Sequence, residues 1–454
     1  MTQPDLSPLP RIALVPLARP TFDIPLAQTI LRDARRQLTA AGYPLSNSEA
    51  LVQDISAAEN AAAALRVDPP DCLLILQTTF ADSSMIKLLA AATAAPILLW
   101  AIPETPTGGR LRLNSYCGVN LAAHALRMSG HFYRSIVAAP GDPLVVEQLG
   151  IVARAGQLAR RLARSRVGLI GEHPAGMDSC HLDAPLLREK LGVTVQQLAL
   201  ASVFERMQSV PEAATGPMRD ELAARLPNLT QLPAGPLQGT LSVYTALSAL
   251  MQTEQLDGLA VRCWPEFFEE MGCAACGALS LLNDRLQPAA CEADINGTIT
   301  QLLLQWASGG AAFGADVVAR HEELDGIVIW HCGKAPLGMA DPAVTPQGGL
   351  HSNRRVPLVM EFPLKPGPVT VARLSRTGGD GRLRLVLGKG EMLRAPQSFS
   401  GTSGVLRCTR PAAAVMQTIL DEGLEHHIAI TYGQETAVLH LLADYLQIPV
   451  LWLS

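Results

Sequence analysis

No stretch of this 454-residue chain approaches the roughly 20 consecutive apolar residues that a membrane-crossing helix needs. A segment such as Asp71-Cys-Leu-Leu-Ile-Leu76 has the length of a buried strand instead. The first ten residues, Met1 to Pro10, are polar and proline-rich and lack the apolar centre of a secretion signal. Cysteine is present in odd number, nine, and scattered, so these residues read as free thiols of a reducing compartment. A cytoplasmic protein is expected. An excess of charge is lacking too. The net charge of −5 and the pI near 6.1 give no global attraction to nucleic acid or to anionic lipid.

Several catalytic fingerprints are also missing. Gly171 and Gly176 in "GEHPAGMD" have the glycine spacing of a phosphate loop, but no Lys-Ser/Thr pair follows. "SGGAAFG" and "LGKGEM" lack the glycine register of a dinucleotide site, and no Gly-x-Ser-x-Gly elbow occurs. Cys273-x-x-Cys276, with Cys263 and Cys291 nearby, does not form two matched knuckles, so small buried thiols are expected in place of a zinc site.

What is present is a globular composition, 48% hydrophobic and 17% charged, on a chain long enough for two or three domains. Arg11 to Val15, ending at Pro16, reads as a strand. Pro25 to Ala41 reads as a helix ended by Gly42, since Leu26, Ile30, Leu31, Ala34 and Leu38 recur at helical spacing. Strands over 72–76 and 96–100 flank a helix over 82–94. Such alternation, with continuous apolar strands, implies a parallel sheet covered by helices. After an Arg- and Ala-rich helix near Arg160, a strand at Val167-Gly-Leu-Ile170 restarts the pattern. It continues to the strand Gly258-Leu-Ala-Val-Arg262. Beyond about residue 340, short strands joined by Gly, Pro and Asp turns take over. The expected architecture is α/β: two Rossmann-like parallel-sheet domains, 1–164 and 165–287, and a β-rich C-terminal domain, 288–454.

The segment "RCWPEFFEE" follows the second domain's strand directly. Glu266 therefore stands just past the carboxyl end of a parallel strand, where ligand crevices of open α/β sheets lie. Two readings of Glu266 stay open: the acidic first turn of a helix with proline at its start, or a carboxylate doing chemistry between apolar walls. Asp294, in "CEADING", reads as a helix-start acid with Glu292 a solvated neighbour. In "HHIAITYG", read as a strand, residues two apart share a face. His426 then sides with Ile428 and Ile430, and His427 with Ala429 and Thr431, so His427 is the one expected to face a pocket.

"RCWPEF", "CEADINGTIT", "WHCGKAP" and "HHIAITYG…LHLLADYLQIPV" together resemble the L-fucose/L-arabinose isomerase superfamily, in its fucose-isomerase-like branch. "TTFADSSMIKLLAAATAAPILLWAIPE", "GRLRLNSYCGVNLAAHALR" and "GLIGEHPAGMD" follow the order of that branch, so the resemblance covers nearly the whole chain. It implies an aldose–ketose isomerase using a divalent cation, usually Mn²⁺, held by two acids and one histidine. These fall on Glu266, Asp294 and His427. Glu266 and Asp294 would also act as acid and base through a cis-enediol intermediate, with a hydride shift as the mechanistic alternative. The resemblance further implies a homo-oligomer such as a hexamer, and gives His331 a substrate or supporting contact. Asn114, Ser115, Glu172 and His173 are candidate sugar contacts or turn caps. Arg110, Arg112 and Arg127 would suit an anionic substituent, or are solvated. The alternatives to a plain monosaccharide substrate are a sulfo-, deoxy- or branched sugar, or a non-catalytic sugar-binding protein on the same scaffold.

Overall fold

The structure is a computed structural model that describes residues 9–47, 49–376 and 381–454; most of the proline-rich start lies outside the described residues. The chain divides into two compact units, residues 5–161 and residues 162–454.

The first unit is built on five parallel strands in the order Leu45–Ser46, Ile12–Leu17, Cys72–Gln77, Ile97–Ala101, Tyr133–Val137. This is a doubly wound arrangement. Every residue of its three central strands is buried, which is why they read as unbroken apolar runs. The first strand runs through Pro16 to Leu17 and does not stop at the proline. The Pro16 carbonyl accepts from Val52 N at 2.8 Å, on the side where the Leu45–Ser46 strand has already ended, so its missing N–H interrupts no ladder there. The first helix is Ile24–Ala40. Asp23 caps it by accepting from Leu26 N at 3.0 Å, Pro25 stands in its first turn, and Ala27, Ile30, Leu31, Ala34 and Leu38 form the buried stripe.

In the second unit, four parallel strands lie in the order Thr194–Leu198, Arg166–Ile170, Gly258–Val261, Ala289–Ala290. A six-stranded barrel follows. Phe313–His321, Gly326–His331, Thr402–Cys408, Leu383–Leu393, Gly367–Arg376 and His427–Tyr432 each pair antiparallel with the next, and the last pairs with the first. Closure leaves none of the six with an open edge. Phe313, Ile329, Val371, Leu406, Ile428 and Ile430 belong to one buried cluster. The helix Ile295–Ser308 packs against barrel strands Gly367–Arg376 and His427–Tyr432 and against the parallel strand Gly258–Val261. Thr298 Oγ1 donates to Leu259 O at 2.8 Å, and Thr431 Oγ1 lies 2.8 Å from Ser308 Oγ. Buried on nearly every side, this helix has no exposed face, and its polar residues Thr298, Gln301 and Gln305 are themselves buried. Among the described residues no helix is long and apolar enough to cross a membrane.

The helix Pro143–Leu162 approaches the first sheet so closely at Gly156 that a Cβ there would stand 1.9 Å from the Asp71 carbonyl oxygen and 2.9 Å from Pro96. Gly156→Ala is expected to destabilise the protein by about 1–3 kcal/mol or more, measured by denaturant unfolding. Wild-type stability in that variant would mean the helix does not dock this closely.

Candidate active site

The strand Gly258–Val261 ends in Arg262-Cys-Trp-Pro-Glu266, and the Trp264–Pro265 peptide is cis. Glu266 opens the short helix Glu266–Glu269. Its carboxylate is gripped by Arg262, whose Nε lies 2.8 and 2.9 Å from the two oxygens and whose Nη2 lies 2.7 Å from Oε1. This hydrogen bond, opposed by partial burial, holds Glu266 below the usual carboxylate range. Arg262 Nη1 also donates to the backbone oxygens of Glu172 and His173, at 3.3 and 3.4 Å, so "GEHPAGMD" is tied to this corner through its main chain. Among the described residues, no hydrogen bond or ion pair joins Glu266 to Asp294 or His427.

Trp264 serves a different acid. Its indole Nε1 donates to Glu292 Oε1 at 3.2 Å. The sequence reading made Glu292 a solvated neighbour; the structure corrects this, its side chain being only 14% exposed. The physical reason is a turn invisible in the pattern. Glu292 and Ala293 both adopt left-handed backbone, φ +58° and +57°, an arrangement costly for non-glycine residues and typical of functional positions. Ala293 N donates to Val261 O at 3.0 Å and Asp294 N to Cys291 O at 3.1 Å, which locks the turn. It aims Glu292 at the histidine pair, with Oε2 2.9 Å from His426 Nε2 and 3.7 Å from His427 Nε2. Burial pushes the Glu292 pKa up, but the His426 hydrogen bond and the charges of His427 and His426 outweigh it, and the net shift is downward.

Asp294 caps the helix Ile295–Ser308 and is 1% exposed. Its Oδ1 accepts from Gly297 N at 2.8 Å and from Arg373 Nη2 at 3.1 Å. Its Oδ2 accepts from Arg373 Nη1 at 2.5 Å and meets His427 Nδ1 at 2.9 Å. Glycine at 297 makes room for this clamp, because a Cβ there would sit 2.4 Å from Asp294 Oδ2. Burial would raise the Asp294 pKa. The Arg373 charge and the His427 hydrogen bond hold it far below the usual range instead.

His427 begins the strand His427–Tyr432, and Ile428 and Ile430 join the buried cluster that it does not. His426 lies before the strand starts, so the two-residue alternation does not govern it. Its ring comes within 3.9 Å of the His427 ring, and its Nδ1 is 2.8 Å from Ser179 Oγ. The His427 Nε2 faces Asp316 Oδ1 at 3.5 Å. Asp316, on the Phe313–His321 strand, escaped the sequence reading, although an acid inside the apolar "AAFGADVV" was a usable signal. Its Oδ1 is buried with no hydrogen-bond partner, and burial raises its pKa. Burial opposes a charge on His427, but the Cys291 sulfur and the Asp294 carboxylate push its pKa up.

His331 stands beside this group, Nε2 3.0 Å from Cys291 Sγ and Nδ1 accepting from Cys332 N at 2.8 Å. Burial, then the nearby Lys334 charge, lowers its pKa well below the usual imidazole value. Glu292, Asp316, His331 and both Trp264 and Trp330 line a cavity of about 270 Å³. The thiols also sort differently from the C-x-x-C spacing: Cys276 Sγ meets Cys332 Sγ at 3.2 Å, and Cys273 is no partner of it. Asn114 and Ser115 belong to the other unit. Asn114 precedes the helix Ser115–Met128 in a left-handed conformation, and Ser115 Oγ accepts from Ile102 N at 2.8 Å and donates to Gln77 O. Both stand at a helix start, and Asn114 makes no side-chain capping bond there.

Residues 13–144 match the family model for the fucose/sulfoquinovose isomerase N-terminal domain, and residues 330–453 that for the L-fucose isomerase C-terminal domain. The chain is 32% identical to a sulfoquinovose isomerase of Alkalicoccus urumqiensis over 449 residues, covering 97% of this chain and 98% of that one. It is 30% identical to one from Clostridium sp. (strain MSTE9), covering 96% and 98%. A third, from Priestia megaterium (strain ATCC 12872 / QMB1551), is 29% identical, with 94% and 95% covered.

The Asp294–Arg373 pair is buried on both sides, so removing either partner strands a charge. Asp294→Asn and Arg373→Met are each expected to cost about 3–5 kcal/mol in denaturant unfolding. The double variant should lose clearly less than their sum. Additive losses would mean the two side chains are not coupled.

Proposed function

We infer what this site does from one premise: the chain belongs to the fucose/sulfoquinovose isomerase family. On that premise we propose that the protein interconverts sulfoquinovose, a hexose with a sulfonate on C6, and the corresponding 2-ketose. The relatives named for this activity match along nearly the full chain, which supports the modified sugar over a plain one. The observation that carries the chemistry is that Glu292 and Asp316, which both line one cavity, each approach the Nε2 of the buried His427, at 3.7 and 3.5 Å.

The donor set fits a hard divalent cation such as Mn²⁺. Two carboxylates each approach the same imidazole nitrogen, Asp316 Oδ1 is buried without a hydrogen bond, and Asp294 holds the other ring nitrogen of His427. Glu292, Asp316 and the Nε2 of His427 would hold it. When bound, such a cation polarises the sugar's C1 carbonyl and C2 hydroxyl. On this reading Glu292, held by His426 and Trp264, takes the proton from C2 and returns it to C1 through a cis-enediol. Asp316 passes the proton between the two sugar oxygens. Asp294 and Arg373 orient His427 and do not touch the sugar. Glu266 keeps Arg262 in place beneath the cavity wall.

Sulfoquinovose incubated with the protein and Mn²⁺ in D₂O is expected to give the ketose, seen by NMR, with deuterium at C1 and, on reversal, at C2 of the aldose. Ketose without deuterium would remove the enediol route, and no ketose would remove the function. Glu292→Gln is expected to lower kcat by about 10²- to 10⁴-fold and to lower bound metal. If Glu266→Gln does both while Glu292→Gln does neither, the ligand and base roles return to Glu266.

A further inference from the structure

A sulfonate keeps its negative charge at every physiological pH, and the Glu292–Asp316 wall of the cavity repels an anion. A C6-sulfonated sugar with C1 and C2 at those carboxylates therefore needs a cation elsewhere on the cavity lining. Arg110, Arg112 and Arg127, the arginines the sequence offered for an anion, lie in the other unit, where Arg127 stands 5.9 Å from the centre of the Tyr133 ring and the first two are engaged. Arg110 donates to Thr21 O at 2.8 Å, and Arg112 pairs with Asp23 at 2.9 Å. Arg262 and Arg373, in the same unit as the cavity, are committed to Glu266 and Asp294. Arg354 is not committed. It is the only Lys or Arg among the residues lining the cavity. Its guanidinium makes no hydrogen bond or ion pair among the described residues and stands 5.8 Å from the centre of the Phe268 ring.

The loop that carries Arg354 is braced. His351 N donates to Val356 O at 2.9 Å, and Arg355 N to His351 O at 2.8 Å, with Arg355 in left-handed backbone at φ +58°. His351 Nδ1 accepts from the backbone N–H groups of Asn353 and Arg354, both at 3.3 Å. The His351 ring meets Phe268 edge-on at 5.0 Å. The same aromatic ring thus supports both the loop and its arginine, so the cation is placed before any ligand arrives. Among the described residues, Arg354 is thus the one Lys or Arg side chain open to a ligand at this wall.

We propose that Arg354 binds the C6 sulfonate of the substrate, as a fork of N–H donors on an XO₃ anion, and so sets both the choice of substrate and its orientation. The proposal rests on the sulfoquinovose reading above and names the group that enforces it. The anion anchors at Arg354, and the far end of the sugar then meets Glu292 and Asp316.

Calorimetric binding of sulfoquinovose and of its neutral 6-deoxy parent, quinovose, to wild type, Arg354→Gln and Arg354→Lys tests this, alongside steady-state kinetics. Wild type should favour the sulfonated sugar. Arg354→Gln should lose that preference by about 100-fold, with KM for sulfoquinovose rising and kcat staying within a few-fold, and Arg354→Lys should restore part of it. A preference unchanged in Arg354→Gln overturns the assignment while leaving the isomerase reading intact. Wild type that favours quinovose overturns both. Glucose 6-phosphate serves as the second anion. If it binds as well as sulfoquinovose and depends on Arg354 equally, the site is a phosphate site and the sulfonate assignment falls.

Discussion

The carboxylate of Asp294 ties together three pieces of chain that the sequence keeps far apart. It closes the first turn of the helix Ile295–Ser308 through Gly297 N, takes a two-pronged contact from Arg373 on one barrel strand, and meets the Nδ1 of His427 on the next. Each contact depends on the carboxylate being ionised, and burial alone would neutralise it. The Arg373 guanidinium, equally buried, supplies the opposing charge that keeps it ionised. Because Asp294 occupies Nδ1, the other nitrogen of His427 is left to face the cavity wall.

That fixed imidazole gives Glu292 and Asp316 a common target. Glu292 reaches it only because two consecutive residues without glycine's freedom accept left-handed backbone. The turn is held by Val261 and Cys291 on the backbone side, and the side chain by Trp264 and His426. A carboxylate held at both oxygens is placed in advance of the reaction, which is how an enzyme avoids reorganising when charge moves. Asp316 is the opposite case, since one of its oxygens is buried without a hydrogen bond, His427 Nε2 standing 3.5 Å away. An unsatisfied buried acceptor is costly, and it makes sense where a ligand completes the set.

Much of the scaffold could be read from period and punctuation. The apolar strands of the first sheet, the apolar stripe of its first helix and the β-rich character of the chain's last part are local features, and local sterics and burial write them directly into the chain, although the strands there start at Phe313 and run to 11 residues. Barrel closure was not legible, because it depends on which strands pair, and pairing joins residues such as Phe313 and Ile430 across more than a hundred positions. The motif-level resemblance put the second acid on Asp294 and left Glu292 in solvent. The structure buries both beside the histidines, and the placement of Glu292 was not legible because a turn's handedness is not written in residue type when no glycine marks it.

By itself, then, the amino-acid order determined the α/β scaffold with its β-rich end and the free thiols, because each depends on neighbours in the chain. Which carboxylates meet the histidines was decided by the fold alone. Arg262 claims Glu266, Arg373 holds Asp294 against His427 Nδ1, and the left-handed turn turns Glu292 toward His426 and His427. A charged group goes to whichever opposite charge the packing brings nearest, and only three-dimensional proximity settles that competition.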